Sequence, residues 1–384
     1  MSTTVPRNLA RAVRRIDALA AERLPTQQLI EGVADELCAA MPVDAVVMAA
    51  TDPDTLLGLG AGVARGMPHT VCAPFWEYEF EVPDFNKFSD LARAPRQAAD
   101  LHAATGGRPE RSARWRELRT LMDADAELRA TFNAGGRGWG LLHLNRAGTA
   151  HGFSGEEVAF VETIAPVVGR ALRCSLVSHP AGNAVGRGPG MAIVDGDNRL
   201  VSATPDALAW FDDIESVYPL PDPGLGRDVP SELMVAAQEA RARAAAGASA
   251  ASTHTRARTG SGVWLLIHAS CLQHADGSVA DVAVVIEPAK ASEVAPLIVD
   301  AYELTPREVD VTRALARGLT TNEIAGELHL SRYTVQDHLK SVYEKAGVSS
   351  RGELVAKMFA DHYHDGLAEA IRGAADVRAV ALAA

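Results

Sequence analysis

The sequence predicts a multidomain α+β protein whose last domain is all-α. Three observations carry this. The chain has 384 residues, and at about 100–200 residues per domain that gives two or three domains. Up to about residue 288, helical-period stretches and short strand-like runs alternate between turn signals, as in a sheet flanked by helices. Residues 304–359 carry helical periodicity alone, punctuated by helix-start signals.

Composition narrows the class. The hydrophobic fraction is 47% and the charged fraction 22%, which excludes wholesale disorder. No apolar run reaches the roughly 18 residues that span a bilayer, so no membrane partner is expected. Met1–Arg15 is polar and arginine-bearing, so no signal peptide is expected either. Cys38, Cys72, Cys174 and Cys271 lie far apart, without CxxC or a Cys/His cluster. Neither a disulfide framework nor a zinc site is expected, and the chain reads as cytoplasmic with reduced thiols. The net charge of −12 argues against nucleic acid only if it is spread evenly. Residues 305–360 hold eight Lys+Arg against seven Asp+Glu, or +1, leaving −13 for the rest. The terminal segment therefore permits DNA binding without demonstrating it.

The elements follow in order. Leu9, Val13, Ile16 and Leu19 recur at helical spacing, and Pro25 breaks the run. Thr26 is read as the cap of a second helix through Leu29, Ile30, Val33 and Leu37. Val43–Ala50 and Leu56–Val63 flank Thr51-Asp52-Pro53-Asp54 as a strand hairpin. Residues 75–127 are polar, poorly periodic and without a clear placement. Leu128–Asn133 and Trp139–Asn145 flank a glycine-rich turn as a second hairpin. Ser154 and Glu157 form a Ser-x-x-Glu capping box that opens a helix to about Val177. These elements make one α+β domain over 1–177, and the Gly/Pro-rich stretch 178–189 reads as a linker.

A second α+β domain is expected over 190–289. Met191–Val194 and Leu200–Ala203 form a hairpin around Asp195-Gly196-Asp197-Asn198. A helix runs from Pro205 to about Phe211, a Pro-rich loop covers 219–230, and a helix covers Ser231–Ala246. Val263–Ala269 and Val279–Glu287 close the unit as strands. A linker helix is expected within 290–303, the all-α domain over 304–364, and an alanine-rich extension over 365–384.

The function-bearing stretch is residues 304–359. Thr305 caps the first helix, Pro306 takes its first position, and Glu308 completes a capping box. Gly318 ends that helix. Thr320 or Thr321 caps the second, with Ile324, Ala325 and Leu328 inward. His329-Leu330 makes a tight turn, and Ser331 caps the third. On that third helix Val335, His338, Leu339, Val342, Tyr343 and Ala346 form the core face. At about 100° per residue, Tyr333, Gln336, Asp337 and Lys340 share the opposite face. A short helix, a tight turn and a capped helix with a polar outer face form a helix-turn-helix, whose second helix enters the major groove N-terminus first.

The motifs LTPRE, GLTTNEIA, S-x-x-T-V-x-x-H-L and the closing G-V-x-S-R-x-E-L together resemble the LuxR-type helix-turn-helix domain of bacterial transcription regulators. The resemblance implies a four-helix domain without a wing, whose last helix, about Arg351–Phe359, mediates dimerisation. It also implies DNA contacts from Tyr333, Thr334, Gln336, Asp337 and Lys340 on the recognition helix. Further phosphate contacts come near Thr320, Thr321 and Asn322. The chemistry agrees in part. Gln336 can pair bidentately with adenine, and Lys340 can reach phosphate or a guanine edge. Ser331 Oγ and the helix N-terminus can hold a phosphate. Asp337 departs from the basic or apolar residue that many members carry there. A groove-facing carboxylate either accepts from cytosine N4 or repels phosphate, and both readings stand. The plainer readings are that Thr305 and Ser331 are caps only, that His338 is packed core, and that Tyr333 shields the turn.

The first 290 residues carry weaker resemblances. In element order, residues about 9–175 resemble a GAF domain and about 190–288 a PAS-like domain. The joint IEPAKASEVAPLIVDAYELTPRE resembles that of actinobacterial regulators pairing such a sensor region with this DNA-binding domain. The implied architecture is two α/β sensor domains followed by the helix-turn-helix domain, although fold does not fix function. No cofactor is expected. His102 and His143 read as structural rather than haem ligands, and Cys72 as an inert thiol rather than a redox switch. Trp76, Tyr78, Phe80, Phe85 and Phe88 read as ordinary core or the lining of an apolar pocket. Glu77, Glu79, Glu81 and Asp84 alternate with apolar residues and read as a solvated strand face. The acidic cluster, phosphate-accepting Asp and later Lys of a receiver domain are missing, which favours a one-component regulator.

The expected partners are double-stranded promoter DNA, a second copy of the chain, RNA polymerase and an unidentified small-molecule ligand. Two competing functions remain. An enzyme is disfavoured because no nucleophile elbow, metal motif or phosphate loop is present. An adaptor whose helix-turn-helix contacts protein draws some support from Asp337 and the net charge.

Overall fold

The computed structural model describes residues 6–149, 151–178, 187–215, 229–247, 252–273, 279–290, 293–294, 297 and 301–355. Most of the 178–189 linker, residues 219–228 of the Pro-rich loop, half of the 290–303 stretch expected to hold a linker helix, residues 356–364 and the 365–384 extension lie outside the described residues. One compact unit holds two antiparallel sheets and ends at Pro288; a second holds the helical domain.

The first sheet is built around two hairpins. Helices α1 (Arg7–Ala21) and α2 (Thr26–Ala40) precede strands β1 (Ala45–Thr51) and β2 (Gly58–Arg65). Pro25, not Thr26, is the N-cap of α2. Thr26 is already helical, and its hydroxyl accepts from Ser175 Oγ at 3.1 Å. The stretch left unplaced from sequence forms α3 (Cys72–Phe80), α4 (Phe88–Arg93), β3 (Ala98–Asp100), α5 (Leu101–Ala104) and α6 (Ala113–Met122). The second hairpin is β4 (Ala126–Ala134) with β5 (Arg137–Arg146), followed by α7 (Gly155–Ser178). Ser154 and Glu157 form the expected reciprocal box, Glu157 N–H to Ser154 Oγ at 3.2 Å and Ser154 N–H to Glu157 Oε2 at 2.8 Å. Strand order is β2-β1-β5-β4-β3. Helix α7 lies tight against β4: a Cβ on Gly169 would fall 2.6 Å from the Asn133 carbonyl oxygen, so only glycine allows that approach.

The acidic alternation at Glu77, Glu79, Glu81 and Asp84 is not a strand. Residues 77–80 belong to α3, where a two-residue repeat turns about 200° per step and so resembles a strand period. Glu79 is buried and meets Arg129 at 2.8 Å. Asp84 accepts from Ser112 Oγ and the Arg114 N–H. Buried cations over the sheet hold Glu79 and Asp84, whereas Glu77 and Glu81 are exposed.

The second sheet repeats the first. Strands β6 (Gly190–Val194) and β7 (Leu200–Ala203), helices α8 (Pro205–Glu215) and α9 (Ser231–Ala245), then β8 (Ser252–Arg258), β9 (Trp264–Gln273) and β10 (Val279–Pro288) give the order β7-β6-β10-β9-β8. Strand β8 has no counterpart among the strands read from sequence. Its inner positions Thr253, Thr255 and Ala257 are buried but only weakly apolar, which hides the alternation. The edge strands β2 and β8 meet directly. Gly60 takes φ +93°, and a Cβ there would lie 2.5 Å from the Arg258 carbonyl oxygen. Thr55 Oγ1 and Thr255 Oγ1 are 3.3 Å apart, and Arg258 donates to the Leu176 carbonyl at 3.0 Å.

The helical domain comprises α10 (Pro306–Ala316), α11 (Thr321–Glu327), α12 (Arg332–Ala346) and α13 (Arg351–Val355). Its core is Val311, Ala314, Leu315, Ile324, Val335, Leu339, Val342, Ala346 and Leu354, all buried.

Candidate nucleic-acid interface

Local sequence fixes the start of each of the first three helices. Thr305 Oγ1 accepts the Glu308 N–H while the Glu308 carboxylate accepts the Thr305 N–H. Thr320 and Glu323 form the same reciprocal box at α11. Ser331 Oγ accepts the Thr334 N–H at 3.1 Å and bonds Thr334 Oγ1 at 2.9 Å. Between α11 and α12 the chain turns at His329, whose φ is +53°, and the Leu330 N–H reaches back to the Ala325 carbonyl at 2.9 Å. Helix α12 stops at Gly347 in the left-handed conformation, φ +64°.

Polar contacts then lock the helices together. The Glu308 carboxylate accepts from Ser341 Oγ and from Lys345 Nζ, each at 2.6 Å, tying α10 to α12. Burial pushes this carboxyl up, but the bonds from Lys345, Ser341 and Thr305 outweigh it and hold the pKa at about 2. Arg351 donates to the Leu319 and Leu315 carbonyls at 2.8 and 2.9 Å, fastening the start of α13 to the segment before α11.

The nine residues expected at DNA separate into distinct groups. Tyr333, Gln336, Asp337 and Lys340 are exposed on one face of α12, Tyr333 at 78% of its full area. Among the described residues, none of these four side chains has a hydrogen-bond or ion-pair partner. Asn322 is exposed and Thr321 half-buried at the start of α11. The hydroxyls of Thr320, Ser331 and Thr334 are engaged in caps, so these three residues shape the helix starts. Arg332 is not among the nine. It is exposed at the first position of α12, a cation where the helix dipole favours anions. His338 is half-buried and faces inward with Val335 and Leu339.

Of the residues flagged in the first sheet, Glu79, His143 and Phe88 join Arg114, Glu127 and Arg129 in a buried charged core, whereas Glu77 and Glu81 are exposed. The Arg129 guanidinium lies over the Phe75 and Phe88 rings, 4.6 and 4.5 Å from their centroids, and bonds Glu79. Glu127 accepts twice from Arg114, at 2.6 and 3.2 Å. Burial pushes Glu127 up, but Arg114 and Arg129 overcome this and hold it at about 2. His143 is buried on β5, and its Nδ1 accepts from Arg129 Nε at 3.4 Å. Desolvation lowers it to about 3. Trp76 stacks on Phe80 at 5.6 Å, so these aromatic side chains pack on each other and on Arg129. Cys72 is partly exposed as a residue, yet desolvation and the nearby Glu232 carboxylate push its thiol up to about 12, which suits an inert sulfur. All four cysteines are free. Among the described residues, no helix is long and apolar enough to cross a membrane.

A capped, exposed polar helix set across a tight turn from a second short helix defines a helix-turn-helix domain. The luxR family of bacterial regulatory proteins matches residues 302–358. The spore germination protein GerE of Bacillus subtilis is 40% identical over 55 residues, which is 14% of this chain and 74% of GerE. The chain belongs to the LuxR family of bacterial regulatory proteins. An HTH-type transcriptional regulator of Mycobacterium tuberculosis is 50% identical over 52 residues, 14% of this chain, and the match spans only 6% of that relative's length. Over the first unit the chain is similar to the GAF domain of a phosphoenolpyruvate-protein phosphotransferase from Coxiella burnetii. The match has 19% identity and a TM-score of 0.32, covering 43% of this chain and 92% of that one.

Proposed function

We propose that the chain is a one-component transcription regulator that binds double-stranded promoter DNA as a homodimer. The observation that carries this reading is the outward face of α12, where Tyr333, Gln336, Asp337 and Lys340 stand exposed on a helix whose other face is packed. In this reading α12 enters the major groove, Arg332 and Lys340 meet phosphates, and Gln336 and Asp337 meet base edges. The helix starts at Thr321–Asn322 and Ser331 bring backbone N–H groups to the phosphate backbone. One such domain buries too little surface for tight specific binding, so a second copy reads a second half-site about one helical turn away. The GAF-like and PAS-like sheet regions act as sensors that modulate promoter binding through a small-molecule ligand. At a promoter, RNA polymerase is the next partner.

Enrichment of random duplex DNA by the full-length protein tests this reading. Paired half-sites, and affinity that falls linearly with the logarithm of salt concentration, are the expected result. No enrichment at low salt, together with salt-independent capture of RNA polymerase, would install the adaptor reading instead.

A further inference from the structure

We propose that Asp337 determines specificity by selecting a cytosine in each half-site, accepting a hydrogen bond from its exocyclic amino group. The inference rests on the DNA-binding reading and adds a base identity to it.

Asp337 occupies the middle of the exposed face, one turn from Tyr333 on one side and from Lys340 on the other. Lys340, three residues on, is within reach of a helical ion pair, yet no such pair forms. With the same spacing and opposite order of charge, Arg307 and Asp310 on α10 do approach to 3.7 Å. The Asp337 carboxylate therefore projects outward without a partner among the described residues.

An ionised carboxylate only accepts hydrogen bonds. In the major groove guanine presents two acceptors and thymine one acceptor and a methyl group, so both oppose it. Adenine offers its N6 amino group, but the adjacent N7 lone pair faces the second carboxylate oxygen. Cytosine offers N4 beside a C5–H, with no opposing lone pair. Against phosphate the same charge is repelled at every sequence. Asp337 therefore lowers affinity for DNA in general and recovers it only where an amino group is in place, which is selection by penalty.

The test is enrichment of random duplex DNA by the full-length protein and by its D337A and D337N variants, each checked for folding by near-UV circular dichroism. The wild type should enrich a cytosine at one position per half-site. D337A should lose that preference, keep the rest of the motif, and bind unrelated DNA more tightly. D337N should move the preference to adenine, which pairs bidentately with Asn. Placing 2-pyrimidinone, which lacks the amino group, at that cytosine should weaken wild-type binding about tenfold and leave D337A unchanged. An identical motif from wild type and D337A would overturn the role of Asp337 while leaving DNA binding intact. No enrichment by the wild type would overturn both.

Discussion

The carboxylate of Asp52, in the turn after β1, accepts from the backbone N–H of Arg256 on β8 at 3.3 Å and lies 3.3 Å from that residue's Nε as an ion pair. One carboxylate therefore serves as hydrogen-bond partner to an edge strand of the other sheet. Arg256 also meets Asp54 at 2.5 Å, and Asp54 in turn pairs with Arg137. Asp52 and Arg256 are both buried. Removing Arg256 takes the cation from the buried Asp52 carboxylate, at a cost of about 3–5 kcal/mol, whereas removing Asp52 leaves Arg256 still paired with Asp54. Arg256→Ala should destabilise the sheet-bearing unit by that order in urea titrations, and Asp52→Ala by less. The double variant should lose clearly less than the sum of the two. Additive losses would mean that the pair does not couple the sheets.

His143 supplies a pH dependence. Its folded pKa, about 3, lies below its ordinary value. The unfolded chain takes up the proton below about pH 6.5, whereas the folded chain refuses it down to about 3. Stability should therefore fall as pH drops across that window, by at most about 1.4 kcal/mol per pH unit. His143→Gln should flatten the slope between pH 6 and 4. Thermal melts at stepped pH measure it, and an unchanged slope would show that His143 is protonated in the fold.

Glu308 gives an acid limit to the helical domain. Its carboxyl is held at about 2, below its ordinary value, so its contribution is complete above about pH 5 and is lost as pH falls towards 2. Glu308→Gln should remove that acid sensitivity and loosen α10 from α12. The readout is amide exchange of residues 306–316 at pH 3 and pH 7. Equal protection of the wild type at both values would contradict the assignment.

The candidate DNA residues should divide by phenotype. Thr320→Ala removes a cap and should cost about 1 kcal/mol of stability without changing the salt slope of DNA binding. Lys340→Ala should leave stability nearly unchanged and lower that slope by about 1. Binding isotherms at several salt concentrations separate them. A slope change in Thr320→Ala alone would move the phosphate contact onto that hydroxyl.

The helical domain was legible because its instructions are local. Thr305, Thr320 and Ser331 each cap a helix within three residues, and Gly318, at φ +89°, follows the end of α10. Both hairpins of the first sheet could be read from apolar runs around turns for the same reason. Residues 75–127 could not. Their helices are held by Glu79 and Asp84 against Arg129 and Arg114, partners some 30 to 50 residues away, which leave no periodic trace. Strand β8 escaped because Thr and Ala line its buried side. At the candidate site the sequence placed the outward side chains correctly. It could not tell a hydroxyl engaged in a cap from one available to phosphate, because that depends on which acceptor each Thr or Ser finds.

The meeting of β2 with β8 also bears on solubility. An open sheet edge is a template on which a second chain can add a strand. Here Gly60 brings the β2 edge against Arg258 on the β8 edge, so each covers the other. The outer edges that remain belong to β3, three residues long, and β7, four residues long. Neither offers the roughly six residues on which a strand-adding partner would register.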